Sequence, residues 1–321
     1  MTPPTFTDAV AVPAAFPAPP LVADARTASW AADIALLVRP RIAVMVLATV
    51  ASAFWLTAGR PESMAGFLAV LVGTALVAAS SSVANQIWER VTDRSMARTA
   101  SRPIASGRLS TRDAWGIVVT TLVLGSASIW AGGGVGATVA AVATWLLYVI
   151  VYTPLKRVTP LNTAVGAVAG ALPVAIGWCA AGGPARFAAG DARSALAVAA
   201  LATVLYLWQF PHFMAIAWLY RRQYENAGLR MLTVVDPSGL RAAGQSLAAA
   251  LAMVPASLVL AVPSASIPLF LLAASAALAY VLASVRFAVR RDDASARVLL
   301  LTSLGSLLGL LTAAVVFGRP S

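Results

Sequence analysis

Asn85, Glu89 and Asp93 recur every four residues, where a long apolar run gives way to polar sequence. On a helix each such step rises about 6 Å and drifts about 40° around the axis. Three oxygen-bearing side chains therefore line one face of a helix end. Arg94, Arg98 and Arg102 follow in a second four-residue register. Carboxylate and amide oxygens suit a hard cation such as Mg2+, and guanidinium forks suit phosphate oxygens. Together they fit a diphosphate held through the metal, with arginines on its remaining oxygens.

Three further clusters carry polar chemistry. Tyr152-Thr-Pro-Leu-Lys156-Arg157 runs into Thr159-Pro-Leu-Asn162. Lys156 and Arg157 read equally as anion ligands or as charges of a basic turn, and Asn162 is placed to cap the next helix. Trp208-Gln209-Phe210-Pro211-His212-Phe213 lies within an apolar run, where Pro211 should break the hydrogen-bond ladder. A neighbouring helix satisfies a lone histidine by default; beside Gln209 and a kink, His212 also reads as cation ligand, proton carrier or contact to an acidic group. Tyr220-Arg221-Arg222-Gln223-Tyr224-Glu225 leaves its apolar run as the first motif leaves its own, ending at Asp236-Pro237. The two exits would face each other across a cavity. The chain has no Walker A loop, no strand-to-helix GxGxxG and no Gly-x-Ser-x-Gly elbow, so nucleotide and hydrolase readings find no support.

Composition sets the container. The 321 residues are 60% hydrophobic and 11% charged, with mean hydropathy +0.83. A soluble domain carries about 25% charged residues, so the expectation is an all-α polytopic membrane protein. In that setting arginines alone serve topology, whereas carboxylates add little to it and at membrane depth mark function. One cysteine, Cys179, and one histidine, His212, exclude an internal disulfide and a multi-histidine metal site. The net charge of +11 does not imply nucleic acid, because the basic residues cluster in short connections between apolar runs. One lysine against 22 arginines suggests a GC-rich bacterial genome.

Residues 1–32 read as a proline-rich disordered arm without the basic start and apolar core of a secretory signal. Residues 33–319 form the membrane domain. Trp30–Arg41 should lie at the interface before the first span. Spans are expected near 42–58, 64–86, 114–132, 135–153, 163–181, 195–219, 243–262, 267–286 and 298–317, with uncharged turns at Gly132-Gly133-Gly134 and Pro263. With the N-terminus in the cytoplasm, only Arg60, Arg186, Arg193 and Arg319 of the 23 basic residues face outward. That bias places the C-terminus outside and the polar clusters on the cytoplasmic face.

In these blocks the chain resembles the UbiA-type intramembrane prenyltransferases, and among them the branch that farnesylates heme. The resemblance rests on Asn85-x-x-x-Glu89-x-x-x-Asp93 with Met96-x-Arg98-Thr99-x-x-Arg102-Pro103, on Tyr152-Thr-Pro-Leu-Lys-Arg with Thr159-Pro-Leu-Asn, on Trp208-Gln-Phe-Pro-His-Phe, and on Ala227-Gly-x-x-Met-Leu with Val-Val-Asp-Pro. It spans about Arg39 to Pro237. It implies nine transmembrane helices around a central cavity, farnesyl diphosphate as donor, heme b as acceptor, Mg2+ as the ion and a bacterial inner-membrane location. A downstream heme A synthase would be a partner. On this reading Asn85, Glu89 and Asp93 hold the metal. Arg94, Arg98, Arg102, Lys156, Arg157, Arg221 and Arg222 serve the diphosphate, with Lys156 also catalytic. His212, Gln209, Tyr152 and Asn162 serve the acceptor. The second motif of the family usually carries aspartate where this chain has Gln223, which leaves Glu225 as a substitute ligand or a site built on the first motif. Two rivals remain: a relative with an aromatic or quinone-precursor acceptor, and a secondary transporter.

Overall fold

The computed structural model describes residues 29–318. The expected arm lies outside these residues, except for its last four, within which a helix already opens at Trp30. Among the described residues there is no strand. The helices that matter for the site are α1 (Trp30–Val38), α2 (Pro40–Ala58), α3 (Met64–Arg94), α4 (Thr111–Leu146), α5 (Asn162–Ala171), α6 (Pro173–Ala180), α7 (Ala192–Leu219), α8 (Leu240–Val259), α9 (Ile267–Arg290) and α10 (Asp293–Phe317).

Short polar side chains start these helices where the apolar runs begin. Ser29, Ser63, Ser110, Asp191, Ser266 and Asp292 each accept a hydrogen bond from a first-turn backbone N–H, and Asp292 with Ser295 completes a capping box. Each cap satisfies a donor that lipid would leave bare.

Eight helical stretches are long and apolar enough to cross a membrane. The longest, Thr111–Leu155, reverses at Gly134, whose backbone (φ 72°, ψ −174°) is not helical. Ser80 on α3 shows the reversal directly. Its Oγ donates to the carbonyl of Val118 before the turn (2.9 Å) and accepts from Trp145 Nε1 after it (3.0 Å). The two legs run back along α3, so the described residues make the nine passes expected. A π-helical stretch, Leu147–Tyr152, ends the second leg and leads into Thr153. Pro211, by contrast, does not interrupt α7: the helix runs through it from Ala192 to Leu219. A single missing N–H is tolerated within a helix whose neighbours hold both flanks, here through Gln209 to Ala167 and Trp208 to Ser303.

The core has two main parts. Val70, Val77, Val83, Ile87, Ile129, Trp145 and Val149 fill the space between α3 and the α4 hairpin. Leu201, Val204, Trp208, Tyr280, Phe287 and Leu299 fill the space among α7, α9 and α10. Helix α2 lies between the parts, with Val50 in the first and Ala53 and Leu56 in the second.

Glycines let α3 and the first leg of α4 approach backbone to backbone. A Cβ on Gly73 would lie 2.6 Å from the Gly125 carbonyl oxygen, whereas one on Gly116 would meet nothing within 4 Å. Gly73→Ala should therefore cost about 1–3 kcal/mol and lower the thermal midpoint in detergent, while Gly116→Ala should leave it unchanged.

Candidate functional site

Helix α3 continues past its expected end near residue 86 to Arg94. Those extra two turns put Asn85, Glu89 and Asp93 on one unbroken helix. Asn85 and Asp93 are fully buried. Asn85 Nδ2 donates to Thr153 Oγ1 (3.1 Å), Lys156 Nζ donates to Glu89 Oε1 (2.7 Å), and Arg102 donates to Asp93 Oδ2 (2.7 Å) with Glu89 Oε2 4.0 Å away. One cation thus stands on each carboxylate. Burial pulls the Lys156 ammonium down, but the negative field of Glu89 outweighs it and leaves the group held above its ordinary value. Burial and then the like charge of Arg39 pull the Arg102 guanidinium below its ordinary value, against Asp93 and Glu89.

Three loops bring these groups together. Residues 95–110 fold back under α3 through Thr99 Oγ1 to the Asp93 carbonyl and Arg94 Nε to the Ala105 carbonyl. Residues 156–161 are pinned by Asn162 Nδ2, which donates to the Thr159 and Arg230 carbonyls, and by the Arg230 N–H on the Lys156 carbonyl. Residues 220–236 meet the first loop through Arg98, which donates to Tyr224 Oη (2.7 Å) and lies over the rings of Tyr220 and Tyr224. Buried Met96 sits with Tyr224, Leu229 and Met231 beneath that contact. The two polar exits meet directly.

The remaining sequence-predicted residues fall in different places. The Tyr152 ring lies under Lys156, 4.5 Å from Nζ. Arg94 spends its Nε on its own loop, and Arg221 is held by the Trp218 carbonyl and Asp293. Arg157, Arg222 and Glu225 are exposed, while the Gln223 amide oxygen is buried without a partner. Asn162 acts on two carbonyls, and no side chain caps α5. Gln209 Nε2 donates to the Ala167 and Leu205 carbonyls. The His212 ring stacks on Trp208 and pairs through Nδ1 with Ser303 Oγ (2.7 Å), a partner on α10. Gln209 and His212 thus tie α7 to its neighbours within the helical layer.

Sequence reasoning passed over Thr153, which orients Asn85, and Gln86, whose Nε2 donates to the Leu36 and Leu37 carbonyls of α1. A buried glutamine inside an apolar run was the available signal for the second. For Thr153 nothing local distinguishes it from an ordinary pre-proline threonine.

The donor set fits a hard divalent ion. Asn85 Oδ1 and Asp93 Oδ1 are buried and without partners, and Glu89 adds a second carboxylate. Among the described residues no group of three or more histidine, cysteine, aspartate or glutamate side chains forms a metal cage. Mg2+ takes this kind of partial set, one or two carboxylates, and completes its shell with water and substrate phosphate oxygens.

A family model described as the UbiA prenyltransferase family matches residues 45–316. The chain belongs to that family. It is a multi-span membrane protein with prenyltransferase architecture. A protoheme IX farnesyltransferase of Rhodopirellula baltica is 40% identical over 276 residues, covering 84% of this chain and 93% of the relative. Among solved structures, a digeranylgeranylglyceryl phosphate synthase matches with TM-score 0.72 at 16% identity over 89% of this chain and 97% of the other. A UbiA homolog from Archaeoglobus fulgidus bound to GPP and Mg2+ matches with TM-score 0.63 at 17% identity, over 88% of this chain and all of the other. These two likenesses carry the fold.

Removing one partner of a buried ion pair strands the other charge, at about 3–5 kcal/mol. Arg102→Leu should therefore lower stability in detergent far more than Arg94→Leu, whose loss is one hydrogen bond worth about 1 kcal/mol. Unfolding curves of the two variants against the parent give the comparison.

Proposed function

We propose that this chain transfers the farnesyl group of farnesyl diphosphate to a vinyl group of heme b, with addition of water, releasing diphosphate and giving heme O. The observation that carries the proposal is the buried face of Asn85, Glu89 and Asp93 flanked by Lys156 and Arg102, with two oxygens free, in a chain 40% identical to a protoheme IX farnesyltransferase. Mg2+ bound by Asn85, Glu89 and Asp93 would supply Lewis-acid neutralisation of diphosphate charge.

The protein's own groups do the rest. Lys156 and Arg102 stay charged in a water-poor site and donate to the diphosphate oxygens, which gather charge as the allylic C–O bond breaks. The electron pair of that bond leaves with diphosphate. The vinyl π electrons of heme then form the new C–C bond, and water adds to the resulting cation with loss of a proton. Arg98, set over Tyr220 and Tyr224, closes the rim above the site, and exposed Arg157 and Arg222 attract the anionic substrate over longer range. Tyr152 and Asn162 shape the Lys156 loop where the acceptor must come close. We assign His212 to the acceptor through Nε2, since Ser303 engages Nδ1, with Gln209 one turn away. Arg94 and Arg221, each occupied elsewhere, take the smallest share. The basic bias places the N-terminus and the site in the cytoplasm of a bacterial inner membrane and the C-terminus outside, with a heme A synthase as consumer of the product.

Membranes containing the protein, incubated with heme b, farnesyl diphosphate and Mg2+, should yield a more apolar heme heavier by a farnesyl group plus water. EDTA should abolish it, and Asp93→Asn should abolish turnover while the protein remains in the membrane. Full activity of Asp93→Asn would refute the metal role. Turnover only with an aromatic or quinone-precursor acceptor, in a panel beside heme b, would replace the acceptor.

A further inference from the structure

Arg39 occupies an unfavourable backbone conformation at the joint between α1 and α2. Its φ of 53° and ψ of 66° lie in the left-handed region, where it ends α1 with its N–H on the Ala35 carbonyl. Glycine is the ordinary residue for such a helix end, and a Cβ there costs about 1 kcal/mol or more. Pro40 follows immediately and narrows the conformations open to Arg39 further. An arginine kept where glycine would be easier points to its side chain.

The joint is also held firmly in place. Gln86 donates to the Leu36 and Leu37 carbonyls, both at 3.1 Å, and Arg108 grips Asp33 with two nitrogens at 2.7–3.2 Å. Gln86 stands next to Asn85 and one helical turn before Glu89, so these bonds set the α1–α2 joint beside the metal-binding face. From there the Arg39 charge acts on both Glu89 and Arg102. Yet Arg39 forms no ion pair or side-chain hydrogen bond among the described residues, while Arg102 and Lys156 each stand on a carboxylate.

The geometry points to Arg39 as a third cation of the diphosphate site, delivered by the α1–α2 joint and reserved for the substrate anion rather than for a protein carboxylate. This rests on the proposed function of the same site. A planar guanidinium with no carboxylate partner is suited to bind two phosphate oxygens at once. Its left-handed backbone aims a side chain from α1–α2 toward a site whose other groups come from α3 and the loops that follow α3 and α4.

Binding of inorganic pyrophosphate in the presence of Mg2+ to the purified full chain, measured by calorimetry, tests this without turnover. Arg39→Gly relieves the backbone and removes the charge; Arg39→Gln removes the charge and keeps the backbone cost. Both should weaken pyrophosphate binding at least about tenfold, and Arg39→Gly should do so with a thermal midpoint equal to or above that of the parent. Arg39→Gly binding as tightly as the parent would show a purely structural residue and overturn the inference. A parent protein that binds no pyrophosphate with Mg2+ would instead overturn the diphosphate reading, and the assignment of Arg39 with it.

Discussion

Four charges buried at the end of one helix govern the architecture of this site. Glu89 with Lys156 and Asp93 with Arg102 are costly to desolvate, and only close pairing makes their burial tolerable. The need for pairing draws in the loops that carry the cations. Lys156 cannot reach Glu89 unless the turn after α4 is fixed, and Asn162 and Arg230 fix it through backbone carbonyls and N–H groups. Arg102 cannot reach Asp93 unless the chain folds back after α3, and Thr99 and Arg94 hold that fold.

The same arrangement links the two parts of the core. Arg98, between the ring faces of Tyr220 and Tyr224, and Met96 below them join the loop after α3 to the loop after α7. The apolar parts of the molecule are packed separately, with α2 between them, so the polar end is where they are held in register for chemistry.

Much of this was legible in the sequence because membrane proteins write their architecture in simple terms. Apolar run length gave the spans, and the Gly132-Gly133-Gly134 turn was readable as a reversal because no other residues allow it without charge or added length. The four-residue spacing of Asn85, Glu89 and Asp93 was sufficient to place them on one face. Which arginine serves which oxygen was not legible. Arg94, Arg98 and Arg102 share one register in sequence, but the chain leaves the helix after Arg94, and the periodicity that would align them ends there. Their separate fates, a loop carbonyl, a tyrosine hydroxyl and a buried carboxylate, depend on turns with no local signature. Pro211 misled for a related reason: local propensity names a break, and long-range bonds from Trp208 and Gln209 decide otherwise.

The reversal at Gly134 has a bearing on how the chain reaches the membrane. Its connection carries no charged residue between Asp113 and Lys156, so nothing at the turn resists translocation or retains it on either side. Neither leg has its own orienting signal at that end. The pair must therefore enter the bilayer as a helical hairpin steered from its flanks, with Arg112 and Lys156 left behind on the side from which it came. One strand of sequence delivers Thr153 and Lys156 back to the level of Asn85 and Glu89, so biogenesis of the hairpin and assembly of the catalytic face are a single event.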